Sequence, residues 1–171
     1  MALRAWAEDD VPALVRACSD ELTRRYTSVP APYTPEDARM FIHAGRSVTT
    51  LPLAVVELND PRAVLGAVGL HAVDTAIGRG EIGYWTAPWA RSRGVATRGL
   101  ELLSNWALGD LGLDRIELFA EPGNQLSQRV AVRCGFVAGD LVKGGIALRG
   151  RRRDVVRYTR VAANDVEASL E

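Results

Sequence analysis

The sequence predicts one α/β domain, in which helices alternate with the strands of a mainly antiparallel sheet. Its 171 residues suffice for a single hydrophobic core, and its 47% apolar and 25% charged residues are ordinary for a soluble globular protein. About seven segments have the composition of strands, and four have apolar residues at helical spacing. Three strands follow one another with only short turns between them, which favours an antiparallel meander over repeated βαβ units.

The N-terminal third is predicted to hold a short strand and two helices. Ala2–Trp6 can form the strand, and Asp9 or Asp10 then caps the first helix. Thr34–Asp37 predicts the start of the second helix, because it combines a hydroxyl cap, a proline at the first helical position and acids in the first turn. The apolar face of the first helix is Val11, Leu14, Val15, Cys18 and Leu22.

The remaining strands are predicted from apolar runs bounded by turn residues. A turn at 59–62 joins the first two of them, and one around Gly150 joins the last two. A helix of about ten residues is expected from Gln125. The expected strands are Leu53–Leu58, Ala63–Val73, Arg79–Thr86, Asp114–Ala120, Val137–Leu148 and Arg152–Val161. In the fourth, Ile116, Leu118 and Ala120 alternate with Arg115, Glu117 and Phe119.

Charge and cysteine content restrict the class of protein. Basic and acidic residues both number 21, and this zero net charge argues against nucleic acid or a membrane as partner. The two cysteines have no metal-binding spacing, so we expect no metal and a reducing compartment. Acids occupy the N-terminus where a signal peptide needs apolar residues, so we expect a cytoplasmic location. We expect one domain over residues 1–161 and a flexible, acidic tail over 162–171.

The chain is organised around Glu81–Leu103, where a strand leads through a basic turn into a helix. Pro88 ends the strand because it cannot donate to a sheet ladder. The free N–H groups and the dipole at the start of the helix favour a phosphate, and Gly94 removes a Cβ from its path. The predicted helix buries Ala96, Leu100, Leu103, Ala107 and Leu111.

The Arg-x-x-Gly-x-Ala pattern at 91–96 resembles the acyl-CoA pyrophosphate loop of the GCN5-related N-acetyltransferases (GNAT family). The longer run IGYWTAPWARSRGVAT resembles the branch of the ribosomal-protein N-terminal acetyltransferases, RimJ and RimL. The resemblance implies the GNAT fold, a twisted, mixed, mainly antiparallel sheet of about seven strands with helices on both faces. It also implies that the sheet splays after Thr86 and that the two N-terminal helices line the acceptor groove. The implied acetyl-CoA contacts are Trp85, Thr86 and Ala87 for the pantetheine, and Arg91, Ser92, Arg93, Gly94, Val95, Ala96 and Thr97 for the pyrophosphate.

A second stretch, N-x-x-S-x-x-V-x-x-x-x-G-F from Asn124, resembles the other cofactor motif of the same family. The resemblance implies that Asn124 meets the pantetheine arm and that Ser127 lies near the sulfur. Many relatives have a tyrosine where this chain has Ala131, so Ser127 is the candidate to stabilise the leaving thiolate. The structural alternatives are a helix cap for Asn124 and an ordinary first-turn serine for Ser127.

Glu81 is the candidate base, since the family often uses a glutamate on this strand to take the amine proton through water. It shares a strand face with Gly83 and Trp85. The alternative is a structural ion pair with Arg79, and His71 is a second candidate base. Cys134 is expected to be a buried packing residue, because no His–Asp pair is placed to activate it.

Together these features predict an acetyl-CoA-dependent N-acetyltransferase that acts, without a metal, on a protein N-terminus or a small-molecule amine. A GNAT-like CoA-binding regulatory module without robust catalysis is the alternative. A nucleotide-binding Rossmann domain is disfavoured, because the first strand is not followed by G-x-G-x-x-G. The chain is expected to be a monomer or a homodimer. The basic run from Arg149 to Arg153 is expected to be a solvated hairpin tip, with contact to an acidic acceptor segment as the alternative.

Overall fold

A computed structural model of the chain describes residues 1–44 and 47–162 and contains one seven-stranded sheet with five helices. The strand order is β1-β2-β3-β4-β5-β7-β6. The strands are β1 (Ala2–Arg4), β2 (Leu51–Val56), β3 (Val64–Asp74), β4 (Arg79–Thr86), β5 (Arg115–Ala120), β6 (Val137–Leu148) and β7 (Arg151–Val161). The helices are α1 (Val11–Cys18), α2 (Glu21–Tyr26), α3 (Pro35–Ala44), α4 (Val95–Leu108) and α5 (Gln125–Arg133). The predicted mixed, mainly antiparallel sheet is therefore confirmed.

The parallel pairing of β4 with β5 is short, and this opens the sheet. It covers Arg79–Glu81 opposite Arg115–Glu117, whereas every other described pair of neighbouring strands is antiparallel. The rest of β4, residues 82–86, pairs only with β3 among the described residues. The expectation that the sheet splays after Thr86 is therefore wrong, because the strands separate after Glu81.

Helix α4 packs on one face of the sheet and forms the main core with it. Leu100, Leu103 and Ala107 are at most 1% exposed, as their helical spacing predicts. In the first turn Val95 is buried instead of the predicted Ala96, which is partly exposed. Gly99 allows close approach to β2, since a Cβ there would lie 2.9 Å from Val55 Cγ2. Leu111 was expected on the same helix but lies beyond its end, because α4 ends at Leu108 and Gly109 follows as its C-cap.

The opposite face of the sheet is covered by α1 and α3. The predicted start of α3 is confirmed: the Thr34 hydroxyl donates to Asp37 Oδ2 at 2.6 Å, and the Asp37 amide donates back to Thr34 Oγ1 at 3.2 Å. The single helix expected after Asp10 is two helices, because Asp20 is extended and accepts the Thr23 amide at 3.0 Å as the N-cap of α2. Leu22 is therefore 39% exposed rather than part of the core.

The ends of the chain differ slightly from expectation. Strand β1 stops at Arg4 rather than Trp6, because the Ala7 amide turns to donate to Asp10 Oδ2 at 2.9 Å. The predicted turn joining β6 and β7 is confirmed, with positive φ at Arg149 and Gly150.

Of the tail predicted to be flexible, residues 163–171 lie outside the described residues. Within the described ranges, no helix has the length and hydropathy needed to cross a membrane.

Candidate functional site

The separation of β4 and β5 after Glu81 leaves a gap in the sheet. The backbone groups of β4 that face this gap can be identified from the hydrogen bonds of the strand. The Ala87 amide donates to Leu65 O at 2.8 Å, and Ala87 O accepts from the Ala90 amide at 2.9 Å. Both backbone groups of Ala87 therefore have partners within the protein. The Trp85 carbonyl also points towards β3, since a methyl group added at Gly66 would lie 2.5 Å from its oxygen.

The backbone groups that face the gap are therefore those of the alternate residues, Tyr84 and Thr86. In an extended strand, the polar groups of successive residues point to opposite sides. Of the predicted contacts Trp85, Thr86 and Ala87, only Thr86 has backbone groups that face the gap. Trp85 instead packs its ring against Trp6, with ring centroids 6.2 Å apart and an interplanar angle of 28°.

The loop between β4 and α4 has the geometry of an anion site. Ser92 and Gly94 have φ of 62° and 75°, and α4 begins at the next residue, Val95. The Arg98 amide donates to Gly94 O at 2.9 Å, and no side chain caps this end of the helix among the described residues. The amides of residues 95–97 therefore have no partner within the helix. A Cβ at Gly94 would meet no protein atom within 4 Å, so the backbone at the residue before these amides is open on its Cβ side.

The arginines of this loop are already paired with acids from other parts of the chain. Arg91 pairs with Asp20, the N-cap of α2, and its hydrogen bond holds the pKa of that carboxyl below the ordinary value. Arg93 pairs with Glu57 at the end of β2. Both arginines therefore already have carboxylate partners. The backbone amides at the start of α4 are the groups most available to bind an anion.

Asn124 and Ser127 lie across the gap, at the start of α5. Asn124 Oδ1 accepts the Ser127 amide at 3.2 Å, which confirms the predicted N-cap. The Ser127 hydroxyl oxygen lies 2.9 Å from the hydroxyl of Tyr84, which also donates towards Ser127 O at 3.1 Å. Sequence reasoning missed Tyr84, and nothing local could have revealed it, because 43 residues separate it from Ser127.

Tyr84 is partly buried beside the start of α5, and Cys134 is buried at the C-terminal end of the same helix. Burial raises the pKa of Tyr84 to about 12 and that of Cys134 to about 11. The Cys134 thiol donates to Thr97 O at 3.5 Å, so it ties α5 to the first turn of α4. Cys134 is therefore a packing residue, as expected, and Ala131 is fully buried.

Glu81 lies where the gap begins, between His71 on β3 and Glu117 on β5. Arg79 Nη2 lies 2.8 Å from Glu117 Oε2, an ion pair without a well-aligned hydrogen bond, and 3.6 Å from Glu81 Oε1. Glu117 is 4% exposed despite its alternation with apolar residues, so it is the closer and more buried partner of Arg79. The Glu81 side chain keeps 38% of its surface exposed and remains open to water.

His71 lies opposite Glu81 in the pairing of β3 with β4. Its side chain is exposed overall, but its ring covers two glycines: a methyl group at Gly69 would lie 2.9 Å from Nε2, and one at Gly83 would lie 3.9 Å away. Partial burial lowers the pKa of His71, while the Glu81 carboxylate acts in the opposite direction. A neutral imidazole at pH 7 can accept a proton. Glu81 and His71 therefore both remain candidate bases.

The arginines of the basic hairpin tip are exposed, as expected, and two of them also contact other parts of the chain. Arg149 Nη2 donates to Arg24 O at 2.7 Å, next to the end of α2. Arg153 lies 3.8 Å from Glu121, directly after β5. Within residues 1–44 and 47–162, no three His, Cys, Asp or Glu side chains gather as metal ligands would.

Comparison with known proteins places this geometry in a family. Residues 1–137 match the acetyltransferase (GNAT) domain. The chain is 31% identical over 97 residues to YdaF of Bacillus subtilis, which bears the provisional name of a ribosomal N-acetyltransferase; the match covers 57% of this chain and 53% of YdaF. It is 25% identical to the uncharacterized N-acetyltransferase p20 of Bacillus licheniformis, over 93% of this chain and 91% of p20.

Solved structures are similar in fold at lower identity. RimJ of Mycobacterium smegmatis, in complex with CoA-disulfide, has a TM-score of 0.83 at 21% identity, over 96% of this chain and 82% of that one. Spermidine N-acetyltransferase of Vibrio cholerae, in complex with CoA and spermine, has a TM-score of 0.82 at 18% identity, over 96% and 97% of the two chains. With the domain matched over residues 1–137 and the sheet opened between β4 and β5, the chain belongs to the GNAT acetyltransferase family.

Proposed function

We propose that this protein transfers the acetyl group of acetyl-CoA to a primary amine by direct attack. The observation that carries the proposal is the gap after Glu81. It brings a free strand edge, the uncapped start of α4 and the Ser127 hydroxyl to one end of the sheet. Membership of the acetyltransferase family supports the reaction class. We infer a cytoplasmic protein, monomeric or homodimeric, from the sequence alone.

The site residues fit acetyl-CoA as a co-substrate. The open amides of residues 95–97 suit the pyrophosphate, because a helix start offers both N–H donors and a favourable dipole. The Thr86 backbone, at the free edge of β4, suits the amides of the pantetheine arm. Asn124 caps α5 through its side-chain oxygen, which leaves the amide nitrogen to donate to the same arm.

Different residues at the gap act on the attacking amine and on the leaving sulfur. The amine nitrogen forms the new C–N bond and loses a proton, which Glu81 or His71 accepts through water. The C–S bond breaks, and its electron pair remains on sulfur. Ser127 donates a hydrogen bond to that sulfur, which lowers the barrier because the bond strengthens as charge develops.

A peptide N-terminus is the acceptor class that the charges favour. A polyamine is polycationic and needs several unpaired carboxylates around it. Among the described acids beside the gap, Glu117 is paired with Arg79, and Glu121 lies near Arg153. Glu81 is partly exposed and lies 3.6 Å from Arg79, so the described acids beside the gap offer a polycation no cluster of unpaired carboxylates. The name of YdaF, a ribosomal N-acetyltransferase, supports a protein rather than a polyamine as acceptor.

The test is an acetyl-CoA-dependent screen over N-terminal peptides, spermidine and aminoglycosides, with release of free thiol as the readout. The proposal expects turnover with at least one peptide and less with spermidine. A protein that binds CoA but acetylates no amine is instead the regulatory module, for which the replacement of the family's tyrosine by Ala131 is the supporting observation.

A further inference from the structure

Two hydroxyl groups meet where the sheet opens. Tyr84 lies on the part of β4 that pairs with β3 but not with β5, and its side chain reaches α5 on the far side of the gap. Its hydroxyl oxygen lies 2.9 Å from Ser127 Oγ and 3.1 Å from Ser127 O. Ile82, two residues earlier on the same strand face, is buried in the core formed with α4, so the tyrosine ring rises from a packed base.

The Tyr84 hydroxyl has one proton, and its direction determines what Ser127 can do. If that proton goes to Ser127 Oγ, the serine proton is free to point elsewhere. If it goes to Ser127 O, the serine proton is drawn back towards the tyrosine oxygen. The two hydroxyl oxygens lie 2.9 Å apart in either arrangement, and only the first leaves the serine proton free for a ligand. The backbone carbonyl of Ser127, 3.1 Å away, is the alternative acceptor for the tyrosine proton.

The pKa of Tyr84 is too high for efficient transfer of its proton to the leaving thiolate. Burial raises its pKa to about 12, whereas a free thiol has a pKa of about 8.5. Transfer of its proton to the departing thiolate would be unfavourable by roughly 10³-fold. A donated hydrogen bond has no such cost, because the proton stays on the phenol.

We propose, resting on the acetyl transfer proposed above, that Tyr84 is a positioning residue whose hydroxyl donates to Ser127 Oγ and holds the serine proton towards the thioester sulfur. In the reaction the C–N bond forms and the C–S bond breaks, with its electron pair left on sulfur. Ser127 stabilises that charge, and water supplies the proton that finally makes the thiol. Tyr84 keeps its own proton throughout. Tyr84 therefore does not replace the tyrosine that many relatives have at the position of Ala131, because it acts only through Ser127.

Tyr84→Phe tests this role, because it removes only the hydroxyl and leaves the ring in place. Tyr158→Phe is the matched control: Tyr158 is a 3% exposed tyrosine whose hydroxyl donates to another α5 residue, Gln128 Oε1, at 3.2 Å. We expect Tyr84→Phe to lower kcat about tenfold with the Kd for CoA within about twofold of wild type. Tyr158→Phe should change kcat by less than about twofold. Melting temperatures verify that both variants are folded.

A double-mutant cycle with Ser127→Ala separates positioning from general support of the fold. If Tyr84 acts through Ser127, Tyr84→Phe should change kcat by less than about twofold once the serine hydroxyl is gone. The same tenfold loss in both backgrounds, or wild-type kcat in folded Tyr84→Phe, overturns the role. A wild-type protein that acetylates no amine in the acceptor screen overturns the proposed function itself, and the role of Tyr84 with it.

Discussion

Replacing Gly94 by aspartate should abolish most CoA binding while leaving the fold intact. Gly94 has a φ of 75°, and a Cβ there meets no protein atom within 4 Å. The new side chain therefore causes no clash and adds only the cost of a left-handed backbone, about 1 kcal/mol. Its carboxylate, however, adds a negative charge directly before the amides of residues 95–97, where we place the pyrophosphate.

The loss of affinity can be worked out from the charges. A carboxylate about 5 Å from one phosphate charge is repelled by roughly 1 kcal/mol in water and by about 3 kcal/mol at a protein surface of lower effective dielectric. Since each 1.4 kcal/mol is tenfold in Kd, we expect binding to weaken by about 5- to 150-fold. Raising the salt concentration should reduce the difference, because the site is exposed.

Gly112→Asp is the matched control. Gly112 has a φ of 72° and equally open space for a Cβ, but it follows the far end of α4. The 14 residues of α4 place it about 21 Å from the loop. Calorimetric titration with CoA should show wild-type affinity for Gly112→Asp and a large loss for Gly94→Asp. Equal affinity of folded Gly94→Asp and wild type would refute the placement of the pyrophosphate.

Three further variants test other parts of the account. Glu81→Gln should lower kcat most at low pH, where neutral amine is scarce; wild-type rates from pH 6 to 9 would leave Glu81 as a structural partner of Arg79. Ser127→Ala should lower kcat by about 10²-fold or less with CoA affinity unchanged, and a change within about twofold contradicts its role. Asp20→Asn keeps the cap oxygen of α2 but loses the ion pair with Arg91. The folded pKa of Asp20 is depressed below 3.8, so the stability from this ion pair is present above pH 4 and is lost as the pH falls through the folded pKa. The two melting temperatures should therefore differ at pH 7 and converge in acid.

Local chemistry made one part of the site predictable from sequence. The uncapped helix start after Gly94 follows from the conformational freedom of glycine and from the proline that ends β4. The caps Thr34 and Asn124 were predictable for the same reason, since a cap bonds within three residues of itself. These features depend on the nearest few residues, and the structure agrees with them.

Features that depend on distant pairing were not predictable. The strands separate after Glu81 because the β4–β5 pairing ends there, and no residue near Thr86 encodes this. Burial of Glu117 depends on Arg79 from the neighbouring strand, so alternation along β5 alone could not reveal it. The contact of Tyr84 with Ser127 arises from the same opening of the sheet, which lets a strand side chain reach α5.

The central claim is that the gap after Glu81 is an acetyl-transfer site, and its most direct test is the rate of thiol release from acetyl-CoA with N-terminal peptides. We predict saturable turnover by the wild-type protein, with the acetyl group found on the peptide amine by mass spectrometry. We also predict that Gly94→Asp loses this turnover at low acetyl-CoA and partly regains it at high concentration. No peptide acetylation by a protein that binds CoA normally would contradict the account.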